Sequence, residues 1–347
     1  MGTHVISEAG DPVCEIVIAG GALADPVVPE RGSRRRVAVL TQPGAHAVAG
    51  LVADRLRRDG LEVGVLELPD RDAAKTMAVV ERCYHDLTTL GLTRDDTVVA
   101  VGGGAVTDVA GFVAATYLRG VEAVAVPTTL VGAVDAAIGG KTGINVGGKN
   151  LVGVFRHPVR VVIDTDLLEA LPEELVREGA AEALKAGLIA DPYLVELYER
   201  DGLVAPMGEV VERAVAVKVR IVSADFRETG PRAWLNYGHT VGHGVEVAGR
   251  LSHGDAVAIG MVAEGAVSAA LVGFRDEARQ RRAILRLGLP AAVSGIHPAE
   301  VRRLMRLDKK RTGDGLRMTL LREIGDPVLT HVDSDTVDMA LHAIGVV

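Results

Sequence analysis

The stretch DTVVAVGGGAVTDVAGFVAATYLRGVEAVAVPTT, residues 96–129, decides the fold. A β-rich run enters three glycines, a helical stretch follows, and a second β-rich run ends at Pro127-Thr128-Thr129. That is a β-α-β unit, whose two strands must run parallel. The same alternation extends backwards. RRVAVLT (35–41) and LEVGVLELP (61–69) read as strands, and 47–60 and 73–91 as helices. The expectation is an α/β domain with a parallel sheet and ligands at the carboxyl ends of its strands. From about Asp166 the pattern changes to long helical stretches, among them 172–190 and 208–225, so the boundary is read near residue 165.

At 347 residues the chain suits two domains, and 48% hydrophobic with 24% charged residues suits a folded protein. Aromatics are only 3%, with Trp234 the single tryptophan, which argues against a stacking platform for single-stranded nucleic acid. The net charge of -8 argues against general binding to nucleic acid or to anionic membranes. A small anionic substrate fits, because a basic pocket can sit inside an acidic protein. Cys14 and Cys83 form no CxxC pair, so neither a disulfide framework nor a thiolate zinc site is expected. No signal peptide is read at the start, and the apolar segment 256–274 carries Glu264 and glycines, as a buried helix would. The expected location is the cytoplasm.

Three segments carry chemistry. Gly102-Gly103-Gly104, ahead of Ala105-Val106-Thr107-Asp108, lets backbone amides approach a phosphate at a helix N-terminus. It is not GxGxxG, and a tight turn capped by Asp108 is the alternative. In Pro69-Asp70-Arg71-Asp72-Ala73-Ala74-Lys75 an acid could accept ribose hydroxyls. Asp135 to Asn145, with Lys141, and then Gly148-Lys149-Asn150 place cations and glycines in apolar surroundings, as an anion site would. If 232–246 is one helix, Arg232, Asn236, His239, His243 and Glu246 fall within an arc of about 80°. His239 and His243 stand at i,i+4, His253 follows, and Glu182 precedes Lys185 by three residues on another helix. Two imidazoles and one carboxylate make a catalytic zinc set, but spacing alone does not say which two histidines ligate.

The blocks GGGAVTDVAGFVAATYLRG, VPTTLVGAVDAAIGGKTGIN, GKNLVGVF, AEALKAGLI, LNYGHTVGHGVE, HGDAVAIGM and LDKK occur in this order. Together they resemble the 3-dehydroquinate synthases, a family of sugar phosphate cyclases, over about residues 40 to 320; KAG after Glu182 and PDRDAAK look most like actinobacterial members. The resemblance implies a Rossmann-like NAD-binding domain over 1–165 and an all-helical metal- and substrate-binding domain over 166–347. It also implies a homodimer, bound NAD and a divalent metal, zinc or cobalt. Carried over by motif, Glu182, His239 and His253 would be the ligands, leaving His243 on the substrate side. NAD would meet Asp72, Lys75, Gly103, Gly104, Ala105, Val106, Thr107, Asp108, Thr128, Thr129, Lys141, Lys149, and Leu167, Leu168, Glu169 and Ala170. The substrate and its chemistry would engage Arg119, Asp135, Lys141, Lys149, Asn150, Lys185, Lys218, Glu228, Arg232, Asn236, His243, Lys309 and Lys310.

The implied reaction converts 3-deoxy-D-arabino-heptulosonate 7-phosphate into 3-dehydroquinate and phosphate, a shikimate-pathway step. Asp72 stands where the family usually has glutamate, the Asn145–Lys149 loop is one residue shorter, and GVFRHP replaces GAFYQP. HGDAV replaces HGEAV, and Glu178-Gly179-Ala180-Ala181 replaces a serine-glycine pair. These departures bear on the substrate, so two other readings stand beside the first. One is an aminodehydroquinate synthase or another cyclase of secondary metabolism. The other is an NAD- and metal-dependent polyol dehydrogenase, which would not need so many cations around the metal.

Overall fold

The computed structural model describes residues 2–30, 32, 35–309 and 316–347. The chain divides into two compact units, Met1–Leu171 with Lys218–Phe226, and Pro172–Val217 with Arg227–Val347.

In the first unit the chain runs β1 (Gly2–Glu8), β2 (Asp11–Ala19), β3 (Arg36–Thr41), α1 (His46–Arg58), β4 (Glu62–Glu67), α2 (Met77–Thr89), β5 (Thr97–Gly102), α3 (Gly104–Thr116) and β6 (Glu122–Pro127). A hairpin of β7 (Lys141–Ile144) and β8 (Val152–Phe155) follows, then β9 (Arg160–Asp164) and α4 (Thr165–Glu169). The main sheet has the order β1-β2-β9-β6-β5-β3-β4, parallel throughout except for β1 against β2. Its central strands are apolar on both faces because helices cover both. Ala38, Leu40, Val98 and Ala100 pack towards Val80 and Leu87 of α2 and Val109 and Val113 of α3. The alternate residues Val37, Val39, Val99 and Val101 pack with Val52 and Leu56 of α1. The chain passes from β3 outwards to β4 and then returns past β3 to β5, so its direction reverses between β3 and β5, where the carboxyl ends of a parallel sheet commonly open a crevice. Gly102–Gly104 lies there, at the end of β5. At the opposite end, buried Asp96 accepts the N–H groups of Arg35, Arg36 and Thr93 at 2.8–3.1 Å and ties the entries of β3 and β5 together.

The second unit is helical apart from one hairpin. It contains α5 (Glu173–Ala190), α6 (Pro192–Asp201), most of α7 (Met207–Ala224), α8 (His239–Gly249), α9 (His253–Val272), α10 (Glu277–Arg286) and α11 (Pro298–Lys309). The hairpin β10 (Leu316–Glu323) and β11 (Asp326–Val332) precedes α12 (Ser334–Ala343). Helix α9 is the centre, packing against α5, α8, α10, α12 and β10. It is long and apolar enough to cross a membrane, but 67% of its most apolar window is buried within the protein and it carries Glu264. A core helix explains that composition.

Besides the β10–β11 hairpin, which an all-helical domain would lack, a further expectation fails. Residues 232–246 do not form a single helix. A short 3-10 turn covers Pro231–Asn236, Tyr237 is non-helical, Gly238 is left-handed at φ 80°, and α8 begins at His239. The break is enforced by packing: a Cβ on Gly238 would lie 2.8 Å from the carbonyl oxygen of Val257 and 2.7 Å from Met261 Cγ.

Candidate functional site

Three helices of the second unit bring a carboxylate and two imidazoles together. Glu182 lies on the buried face of α5, while His239 and His253 are the first residues of α8 and α9. Glu182 Oε1 is 3.0 Å from His253 Nε2 and 3.4 Å from His239 Nε2, and one donor atom from each residue lies within 4.8 Å of the others. Gly254 permits this approach, because a Cβ there would fall 2.5 Å from the Glu178 carbonyl oxygen, one turn before Glu182. Each imidazole is oriented through its other nitrogen. His253 Nδ1 meets Glu246 Oε2 at 3.3 Å, and His239 Nδ1 meets the Tyr237 carbonyl at 3.2 Å. Both Nε2 atoms therefore face Glu182, as in a metal site whose ligands are held by outer partners.

The donor set fits a divalent ion of the zinc or cobalt type. Bonds of about 2.0–2.1 Å in tetrahedral geometry put neighbouring donors about 3.3 Å apart, close to the carboxylate–imidazole spacings here. The electrostatics agree. Burial alone would raise the Glu182 carboxyl, but the Lys185 ammonium, paired with Oε2, and His239 hold it well below the usual range. Burial and the Lys185 charge lower His239, which favours the neutral, ligating imidazole. Burial would also lower His253, but Glu182 and Glu246 outweigh it and push the imidazole up to about 10, so metal binding there displaces a proton.

Around this centre the same unit supplies polar groups. Arg232 is 1% exposed, and Lys185 is equally enclosed. Asn236 Nδ2 donates to Glu228 Oε1 at 2.7 Å, and Glu228 holds a left-handed backbone at φ 61°. His243 is exposed one turn beyond His239, with ring centroids 5.1 Å apart, and stands outside the three-donor cluster.

The first unit carries the residues that the sequence marks for anion binding. Gly103 caps α3, its carbonyl accepting from Val106 and Thr107 at 3.0 and 3.1 Å, so the helix N-terminus opens at the end of β5. Lys75 is 4% exposed, and its Nζ donates at 2.5 Å to both Asp108 Oδ2 and Asn150 Oδ1. Asn150 is left-handed at φ 55°, and its N–H donates to Asn145 Oδ1 at 2.9 Å. The Asn145 N–H in turn donates to the Lys75 carbonyl at 2.8 Å. Lysine 75 thus joins the glycine-loop helix to the Asn145–Asn150 turn. Lys218 Nζ similarly donates to Asp135 Oδ1 at 2.5 Å.

Among the other expected residues, Thr128 and Thr129 lie beside the glycine loop: the Thr128 N–H donates to the Gly102 carbonyl at 3.0 Å, and a Cβ on Gly103 would fall 3.2 Å from Thr129 Cγ2. Asp72, Arg119, Lys141, Glu169 and Ala170 are exposed; Gly104, Ala105, Thr128, Thr129, Lys149 and Leu167 are half-buried. Val106 and Leu168 are fully buried. Lys310 lies outside the described residues, as does the side chain of Lys309. Sequence reasoning put Glu246 on a polar stripe without a role, and the structure sets it behind His253. It also missed Asn145; the signal was a second amide five residues before Asn150.

Residues 65–178 match the 3-dehydroquinate synthase N-terminal family, and 179–311 the 3-dehydroquinate synthase C-terminal family. A 3-dehydroquinate synthase of Thermobifida fusca (strain YX) is 45% identical over 341 residues, 93% of this chain and 91% of that protein. Among solved structures, 2-deoxy-scyllo-inosose synthase complexed with carbaglucose-6-phosphate, NAD+ and Co2+ is 26% identical at a TM-score of 0.87, covering 98% of this chain and 99% of that one. ValA, a 2-epi-5-epi-valiolone synthase from Streptomyces hygroscopicus subsp. jinggangensis 5008 with NAD+ and Zn2+ bound, is 28% identical at a TM-score of 0.87, covering 99% and 98%. The chain belongs to the 3-dehydroquinate synthase family.

Proposed function

We infer that this chain is a 3-dehydroquinate synthase, dependent on NAD and a divalent metal. It converts 3-deoxy-D-arabino-heptulosonate 7-phosphate into 3-dehydroquinate and inorganic phosphate. The observation that carries the reading is the Glu182–His239–His253 donor set, beside buried Lys185, in a chain matching curated synthases over most of its length. In the overall reaction one hydroxyl becomes a ketone, phosphate is eliminated, the hydroxyl is restored, and an intramolecular aldol addition closes the ring. When bound, NAD supplies the reversible hydride transfer and the ion supplies Lewis acidity.

In this reading Glu182, His239 and His253 hold the ion, with Glu246 orienting His253. The α3 N-terminus, with Gly103–Asp108 and Lys75, binds the dinucleotide, helped by Asp72, Thr128, Thr129 and Leu167–Ala170. Cationic side chains bind the substrate's carboxylate and phosphate: Arg119, Lys141, Lys149, Lys185, Lys218, Arg232 and a lysine of the 309–310 pair. Asp135, Asn150, Glu228, Asn236 and His243 orient its hydroxyls. The cations also stabilise phosphate as it leaves. An oxygen of the departing phosphate takes the proton from the acidified C–H, so no protein base is required. Holding one conformer and excluding water are the protein's main tasks. The reading includes a homodimer in the cytoplasm, acting on a small sugar phosphate and on neither nucleic acid nor membrane.

Incubation with the seven-carbon phosphate and NAD, followed by identification of the product by mass, tests this. Formation of 3-dehydroquinate supports it. No turnover of that substrate, with turnover of its amino analogue, would refute it in favour of the aminodehydroquinate reading.

A further inference from the structure

Helix α9 contains a buried acid that lies outside the Glu182–His239–His253 donor set. Glu264 is fully buried, eleven residues after His253, which is about three turns and so the same helix face. Its Oε2 accepts the Gly238 N–H at 2.8 Å and its Oε1 the Thr240 N–H at 3.0 Å. These are the backbone N–H groups of the residues before and after His239, at the start of α8. Both oxygens accept, and both donors belong to a helix N-terminus that attracts negative charge. The backbones touch closely at this joint. A Cβ on Gly242 would lie 2.9 Å from the Ala256 carbonyl oxygen, and Gly260 leaves no room for one against the Gly238 carbonyl. A second arm fixes the same turn: the Tyr237 hydroxyl donates to Gln280 Oε1 at 2.6 Å, and Gln280 Nε2 donates to the Met261 carbonyl at 2.6 Å. Further along α9, Ser268 Oγ donates to the Glu264 carbonyl at 2.6 Å and accepts the Leu321 N–H at 3.0 Å.

We propose that Glu264 is the positioning residue of the metal centre, setting His239 in register with His253 by clamping the first turn of α8 to the helix that carries His253. It touches neither metal nor substrate. One helix thus provides one imidazole directly and holds the other through a carboxylate. The proposal rests on the assignment of Glu182, His239 and His253 as ligands.

The test is Co2+ titration of metal-stripped full-length protein, comparing the wild type with Glu264→Gln and His253→Ala. Glutamine keeps the length but turns an amide NH2 towards backbone N–H groups that need an acceptor. The expected result is at least a tenfold weaker Kd for Co2+ in Glu264→Gln, with altered visible ligand-field bands, unchanged NAD affinity, and activity recovered in excess Co2+. A purely structural acid would lower the melting temperature and leave Co2+ affinity and bands as in the wild type; that result overturns the proposal. Wild-type Co2+ binding in His253→Ala would instead overturn the ligand assignment. Should Glu264→Gln fail to fold, Glu264→Asp keeps the carboxyl group but falls a methylene short, and wild-type Co2+ affinity there is equally fatal. Hydrogen exchange needs no variant: Zn2+ must slow exchange in the wild-type peptide containing Gly238–Thr240, and an unchanged rate contradicts the clamp.

Discussion

Replacing Lys75 by methionine removes a buried charge while nearly preserving volume. The ammonium is 4% exposed and donates at 2.5 Å to Asp108 and to Asn150. Removing one partner of a buried pair costs about 3–5 kcal/mol, because the other charge is left without compensation. The Asp108 side chain keeps 21% exposure, so water recovers part of this and about 2–3 kcal/mol is expected. Burial already raises the Asp108 carboxyl and Lys75 opposes the rise, so the variant raises it further. A raised carboxyl contributes stability below its ordinary range and loses it as pH rises. The deficit of Lys75→Met is therefore largest at neutral pH and shrinks in acid. Urea denaturation followed by circular dichroism measures it, and a double-mutant cycle with Asp108→Asn isolates the pair. The cycle should return about 1.5–2.5 kcal/mol of coupling, and NAD and substrate should both bind more weakly because Asn150 loses its anchor. A coupling below about 0.5 kcal/mol would refute the reasoning.

His253→Ala should lose bound metal and turnover while keeping its circular dichroism spectrum; full activity in metal-free buffer would contradict the ligand assignment. Arg232→Ala should lower kcat/KM by roughly 30- to 1,000-fold, corresponding to about 2–4 kcal/mol for a charge-assisted contact in a desolvated pocket. Unchanged kinetics would remove Arg232 from the site. Asp96→Asn should cost about 1–3 kcal/mol at neutral pH, since an amide faces three backbone donors. Burial would raise Asp96, but the N–H groups of Thr93, Arg36 and Arg35 outweigh it and hold the carboxyl below its usual range. Its contribution is thus present above about pH 4 and disappears as pH falls through the depressed value, where the two proteins should converge.

The parallel sheet was legible because buried strands such as 97–102 are continuous apolar runs punctuated by glycine, and sequence order is enough to read β-α-β alternation. The N-terminal strands β1 and β2 were not read, since their half-buried alternation is weak. The hairpin β10–β11 escaped for a related reason, lying within a stretch dominated by helical composition. The break at Gly238 illustrates a different limit. Residues 232–246 have helical spacing, and only contact with α9, an element later in the chain, interrupts it. The convergence of Glu182 with His239 and His253 likewise depends on how α5, α8 and α9 pack, which no local spacing encodes; family resemblance supplied that link. Glu264 was visible as the one acid of the apolar segment 256–274, but its partners are backbone groups, which leave no mark in side-chain patterns.

The most direct measurement follows inorganic phosphate release and NADH absorbance together, with purified protein, NAD, Zn2+ and 3-deoxy-D-arabino-heptulosonate 7-phosphate. A cyclase that takes back its hydride must release one phosphate per substrate with no net NADH. Accumulation of NADH without phosphate would mark a simple dehydrogenase and contradict the account.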